Sequence, residues 1–317
     1  MKNNKNKIVT AIWCVIVFVA SCGISYYSIS HFTKTKNTCN ITYQTTSYVS
    51  TTTAQYVYKN ITFNVITTYL NGSSDFYSKS LEIYQNDKLL ITQDGDSDIS
   101  PLDQAFGVDI TGNGGKDFVF VDLSDGSGNF VSYHIYELPK NGTITKIAEL
   151  DTSGDATFKD LTGNGRLDVE IGDMTFNCWE SACASSPNTK VILSWNSAQQ
   201  SYVMNPNLMR KPAPTQNTIQ QMANYFRDDD WCGYNPGGTY RYCEPWDYAL
   251  DLIYSGNAVS AKSYLNLVWS FASSTMEKNS GNGNFSSKKD LENQLLSNLK
   301  SSEYYTTILS LNGGKIF

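Results

Sequence analysis

Apolar and polar positions alternate along most of the first two hundred residues, and the spacing changes to three and four near Pro212. Residues 61–70 (ITFNVITTYL) are rich in β-branched and aromatic side chains and predict a strand. Residues 81–92 predict two short strands around Asn86-Asp87, a dipeptide suited to a tight hairpin turn. Short strands follow at 118–121 and 169–171, and each leads through a polar loop into a hairpin. The first hairpin is 131–138 with 144–150, turning at Lys140-Asn141-Gly142; the second is 190–195 with 202–204, turning near 198–200. Beyond Pro212, helical faces are predicted from Ile219, Met222, Ala223 and Phe226; from Ala249, Leu250 and Ile253; and from Ala261, Leu265, Val268, Trp269 and Ala272. Ser287 and Asp290 make a capping-box-like start for 288–299, whose face is Leu291, Leu295, Leu296 and Leu299. A last short helix spans 304–311 and ends at Asn312-Gly313-Gly314.

One nine-residue phrase occurs twice within this pattern. Residues 109–117 read DITGNGGKD and 160–168 read DLTGNGRLD, identical at six of nine positions. Oxygen-bearing side chains at positions 1, 3, 5 and 9, with Gly at position 6, suit a loop wrapped around a hard cation, and position 7 supplies a carbonyl. The candidate ligands are Asp109, Thr111, Asn113, the Gly115 carbonyl and Asp117, then Asp160, Thr162, Asn164, the Arg166 carbonyl and Asp168. Oxygen-only donors favour Ca²⁺. The plainer alternative is a pair of turns whose Asp and Asn side chains bond their own backbone.

The phrase resembles the calcium loops of FG-GAP and VCBS-type repeats, D-x-D-G-D-G-x-x-D units found in integrin-like β-propellers and many bacterial envelope proteins. Thr and Asn replace the acidic residues at positions 3 and 5, so each loop brings two carboxylates. Weak structural sites are expected, on the order of 10⁻⁴–10⁻³ M. A-S-S-P followed by V-I-L-S-W, and later L-I-Y-S-G-N, resemble envelope proteins that join such repeats to a short helical tail. The repeating unit of loop, strand, loop and hairpin recurs at about fifty residues. Two and a half to three units fall short of a closed propeller, so an open stack of blade-like sheets is expected. The fold class is therefore α+β: a β-repeat segment over 55–212 and a small all-α segment over 213–317.

The N-terminus points to export. Lys2, Lys5 and Lys7 precede an apolar run over 8–20 that ends Val19-Ala20-Ser21-Cys22. This resembles a bacterial lipobox, which implies lipidation of Cys22, a signal peptide over 1–22 and a membrane anchor. An uncleaved anchor helix and a plain secretory signal are the alternatives. Residues 23–54 are rich in Ser and Thr and read as a tether, the alternative being a first strand of the next segment supplied in part by 43–52. In an oxidising compartment the close pairs Cys178/Cys183 and Cys232/Cys243 invite disulfides, leaving Cys39 without an assigned partner. With two histidines and no C-x-x-C, zinc fits poorly.

Charge narrows the partners. The net charge is −6 with 17% charged residues, which excludes a basic nucleic-acid footprint. No nucleophile elbow, zincin helix or phosphate-cradling loop occurs, and no catalytic residue is assigned. His134 reads as a satisfied strand histidine. Asp230, Trp231, Glu244, Trp246 and Asp247 form the one acidic, Trp-rich segment able to grip a sugar, or to hydrolyse a glycosidic bond with a carboxylate pair; a disulfide-stapled solvated loop is the alternative. Three functions compete: a calcium-stabilised binding or adhesion lipoprotein for an envelope protein or glycan, an envelope hydrolase using 228–247, and a purely structural envelope protein.

Overall fold

The computed structural model describes residues 40–45, 49–70, 76–95, 98–124, 130–180, 183, 186–187, 189–228, 244–276 and 285–317. The signal-peptide reading with Cys22, the first part of the tether with Cys39, and Asp230, Trp231, Cys232 and Cys243 lie outside the described residues.

Three antiparallel sheets follow one another along the chain, each with its strands in sequence order. The first has five: β1 (Asn40–Thr45), β2 (Val49–Tyr58), β3 (Ile61–Leu70), β4 (Phe76–Gln85) and β5 (Lys88–Gly95). In β3 the alternation is expressed directly: Ile61, Phe63 and Val65 are buried while the residues between them are not. Asn86 and Asp87 both adopt positive φ, 51° and 62°, which closes β4 onto β5 with the twist a two-residue hairpin requires. The tether expected to run to residue 54 is shorter, because β1 and β2 occupy part of it. β2 pairs with β3 from Val49–Leu70 to Tyr58–Ile61. Its Thr-rich sequence resembles a solvated linker, yet β-branched Thr accepts extended backbone readily once a neighbouring strand completes the ladder.

The second sheet comprises β6 (Asp98–Val108), β7 (Lys116–Leu123), β8 (Phe130–Leu138) and β9 (Thr145–Ser153). The third comprises β10 (Thr157–Lys159), β11 (Asp168–Gly172), β12 (Lys190–Asn196) and β13 (Ser201–Met204). Each duplicated loop joins the first strand of its sheet to the second. The strands that precede the loops, β6 and β10, are absent from the sequence reading: β6 carries Pro101 and Gly107, and β10 has only three residues.

The second sheet is buried on both faces. Phe118, Phe120, Tyr136 and Leu138 join Ile61, Phe63 and Ile83 in one core with the first sheet. Val119, Val131, Tyr133 and Ile135 point the other way, into a core shared with the third sheet and the helices. Burial on both faces explains the unbroken apolar run Phe118–Val121 where a half-exposed strand would alternate.

The helices are α1 (Pro206–Met209), α2 (Gln216–Asp228), α3 (Pro245–Tyr254), α4 (Ala258–Met276), α5 (Lys288–Leu299) and α6 (Tyr305–Leu311). Ser287 caps α5, accepting the Asp290 N–H. Their stripes are core: Ile219, Ala223, Leu250, Ile253, Leu265, Leu291 and Leu295 are continuous with Val169, Val191 and Leu193 of the third sheet. The architecture is α+β, with the helices sealed onto the last sheet. Among the described residues no helix is long and apolar enough to cross a membrane.

Candidate functional site

The two loops fold alike because their first carboxylate gathers backbone amides. Asp109 Oδ1 accepts the N–H groups of Gly112 (2.7 Å) and Asn113 (3.1 Å), and Oδ2 accepts that of Gly114 (2.8 Å). Asp160 repeats the arrangement with Gly163 (2.6 Å), Asn164 (3.1 Å) and Gly165 (2.8 Å). These bonds, that to Gly165 foremost, hold the Asp160 carboxyl below the ordinary aspartate range. The position-5 amide oxygens close the turn, Asn113 accepting from Gly115 N and Asn164 from Arg166 N, each at 2.8 Å. Glycines at positions 4 and 6 take φ between 71° and 86°, a region costly to any residue with a Cβ.

The loops touch. Leu167 N–H of the second donates to the Ile110 carbonyl of the first at 3.0 Å. A Cβ added at Gly112 would lie 2.6 Å from the Arg166 side chain, so the arginine of one loop rests on the glycine of the other. Tyr202 of β13 is buried with no hydrogen-bond partner for its hydroxyl, and burial, then the charges of Asp117 and Asp168, push its ionisation far up.

The ninth-position carboxylates differ. Asp168 is satisfied by protein: Oδ2 accepts Leu161 N–H at 3.1 Å and Oδ1 accepts the Ser194 hydroxyl. Asp117 Oδ2 accepts Ile110 N–H (2.8 Å), Thr111 N–H (3.1 Å) and the Thr111 hydroxyl (3.3 Å), while its Oδ1 is buried and has no partner. Burial first, with the Glu137 and Asp109 charges adding to it, pushes Asp117 up to about 6. An orphaned buried carboxylate oxygen costs free energy that either a proton or a cation would offset. Both loops therefore close on their own backbone, as the plainer turn reading expects, and they differ in the one carboxylate oxygen of Asp117 left without a partner. Among the described residues no group of three or more His, Cys, Asp or Glu side chains is placed to hold a metal. Any ion would depend on the hydroxyl, amide and carbonyl oxygens.

The acidic, Trp-rich segment is committed elsewhere where it is described. Trp246 is 3% exposed and packs edge-on against Trp179 (5.8 Å) and Phe285 (5.3 Å), so it belongs to the core and offers no sugar platform. Asp247 Oδ2 accepts the Glu244 N–H at 3.0 Å, the reach-back half of a capping box, and is buried. Glu244 is pushed up to about 7 by burial. His134 is 2% exposed, with Asp122 Oδ2 at 3.5 Å from Nε2 and Glu149 Oε2 at 3.6 Å from Nδ1. Among the described residues neither ring nitrogen has a hydrogen-bond partner, so the satisfied histidine expected from the sequence is instead a buried imidazole at ion-pair distance from two carboxylates. The Cys178–Cys183 disulfide is formed.

Sequence reasoning missed Asp173, the residue that ties the helices to the sheets. It follows β11 and is buried, yet accepts from Thr175 N–H and Oγ1, Tyr254 Oη and Ser302 Oγ. Only the I-G-D ending of a strand hinted at it. Asp173 also borders a cleft of about 660 Å³ with Asp151, Glu303, Ser132, Phe130 and Tyr304. Comparison of the chain with protein-family models, curated proteins and solved structures finds no match.

Proposed function

We propose that this protein is an exported, calcium-stabilised binding module of the cell envelope, an open stack of three blade-like sheets held at the membrane through Cys22. The observation that carries the reading is the first loop, where Asp117 Oδ1 is buried without a partner. Calcium there neutralises the carboxylates and fixes the second sheet at its junction with the third. The Cys178–Cys183 bridge supports an oxidising compartment. A binding role is favoured over hydrolysis because Trp246 and Asp247, the described core of the acidic segment, are buried in packing and capping.

The test is thermal unfolding of the purified chain with calcium or chelator, followed by capture of envelope glycans and proteins under both conditions. At millimolar Ca²⁺ and a Kd on the order of 10⁻⁴ M, one site stabilises by about 1.4 kcal/mol. A melting temperature indifferent to calcium overturns the calcium reading, and capture of no envelope component overturns the binding role. Lipidation is read separately: mass spectrometry finds a diacylated Cys22 at the mature N-terminus, and a free amine at another residue or an intact Met1 refutes the anchor.

A further inference from the structure

We infer that the cleft on the outer side of the first loop is an oxyanion-binding site, taking phosphate or carboxylate groups carried on an envelope polymer. This rests on the binding role proposed above and names its ligand class. The cleft encloses about 490 Å³, room for one charged sugar residue. Three lysines converge on it from separate parts of the chain: Lys59 from the turn between β2 and β3, Lys116 at the start of β7, and Lys140 from the turn between β8 and β9. No aspartate or glutamate lines it, although the chain as a whole has 30 acidic against 24 basic residues.

Among the described residues none of the three has a carboxylate partner, although the Lys59 ammonium lies 5.4 Å from the centroid of the Tyr58 ring. Lys79, Lys146, Lys190, Lys288 and Lys289 each have a carboxylate partner, whereas among the described residues Lys59, Lys116 and Lys140 form no salt bridge. Asp109 accepts the Gly114 N–H and Glu137 lies against Gly115 behind the cleft wall, but no carboxylate lines the cleft itself, and an anion within it relieves the mutual repulsion of the lysines. The walls are fixed in advance. Gln85 donates to the Gly142 carbonyl at 3.1 Å and accepts Ile144 N–H at 3.1 Å, which pins the Lys140 turn to β4. A Cβ at Gly114 would lie 2.9 Å from Lys140 Nζ, so the ammonium lies directly over the loop. No aromatic ring lines the cleft to stack a base, and compact ammonium charges suit phosphate and carboxylate oxygens. Calcium in the adjacent loop would add to the same positive field.

The experiment is titration of the full-length chain, at low salt, with polyphosphate, polygalacturonate and neutral dextran. Polyphosphate or polygalacturonate should bind, dextran should not, and affinity should fall steeply with added salt. The two anionic arms tell a phosphate-bearing from a carboxylate-bearing source. Lys59→Glu with Lys140→Glu should weaken binding about ten-fold or more, whereas Lys262→Glu with Lys315→Glu, outside the cleft, should not. All four lie at the surface, and unchanged circular dichroism and melting confirm folding. Equal binding of dextran, no binding of either polyanion, or equal loss in the control pair overturns the site. The calcium shift in melting is measured on the same samples, so the cleft can fail while the calcium reading stands, or the reverse.

Discussion

Tyr254 donates its hydroxyl hydrogen to Asp173 Oδ2 at 2.6 Å, across 81 residues of sequence, and Ser302 donates to the same oxygen at 2.7 Å. One buried carboxylate thereby joins the end of β11 to the last residue of α3 and to the turn between α5 and α6. Burial, then the Asp173 charge and hydrogen bond, hold the Tyr254 hydroxyl in its protonated, donating form. Tyr254→Phe should therefore lower stability by about 1.5–3 kcal/mol, the range for a bond to a charged acceptor. Urea denaturation measures it, and an unchanged midpoint would show that the helices do not depend on this contact.

The asymmetry of the ninth-position carboxylates has its own consequence. Asp117→Asn should abolish most of the calcium-induced rise in melting temperature, because the orphaned oxygen belongs to that loop. Asp168→Asn should leave most of it, since Asp168 is already satisfied by Leu161 and Ser194. Calorimetry should accordingly find one ion per chain, and two equivalent ions would refute the distinction.

Gly112 and Gly163 hold the same loop position at φ 71° and 72° but differ in surroundings. Either Gly→Ala change incurs the left-handed penalty of about 1–2 kcal/mol. Gly112→Ala must also displace Arg166, while nothing lies within 4 Å of a Cβ at Gly163. Gly112→Ala should be the more damaging, and adding Arg166→Ala should bring the two costs together in a double-mutant cycle.

Glu244 links stability to pH. Burial raises its folded carboxyl from 4.5 to about 7. The contribution is present in full below about 4.5 and is lost as pH rises through about 7, because the unfolded chain releases the proton more readily. Glu244→Gln should remove this component, worth up to about 3 kcal/mol, and be more stable than the parent at pH 8. Parallel stability curves for the two proteins from pH 5 to 8 would exclude it.

The Cys178–Cys183 bridge closes a short loop ahead of β12. Loop-closure entropy assigns it about 2 kcal/mol. Reduction, or Cys183→Ser, should lower the urea midpoint accordingly, and an equal midpoint with and without reductant would contradict this.

Local chemistry along the chain was sufficient for most of the elements and turns, though not for β6, broken by Pro101 and Gly107, or the three-residue β10. Alternation at Ile61, Phe63 and Val65 specified a strand and its buried face, Asn86-Asp87 specified a hairpin, and the Leu291–Leu295–Leu299 stripe specified a helix, because each depends on backbone preference and side-chain period within a few residues. The duplicated loops were legible for the same reason: their amide-capping bonds join positions no more than five apart. Relations between distant residues were beyond that reach. No period in the sequence says that Arg166 lies on Gly112, that Asp117 keeps an oxygen unpaired while Asp168 does not, or that Trp246 faces Trp179 and Phe285 instead of solvent. Nor does it gather Lys59, Lys116 and Lys140 at one cleft. Those pairings arise when three sheets and the helices close on a shared core, where burial removes water and leaves each polar group to the partners that packing supplies.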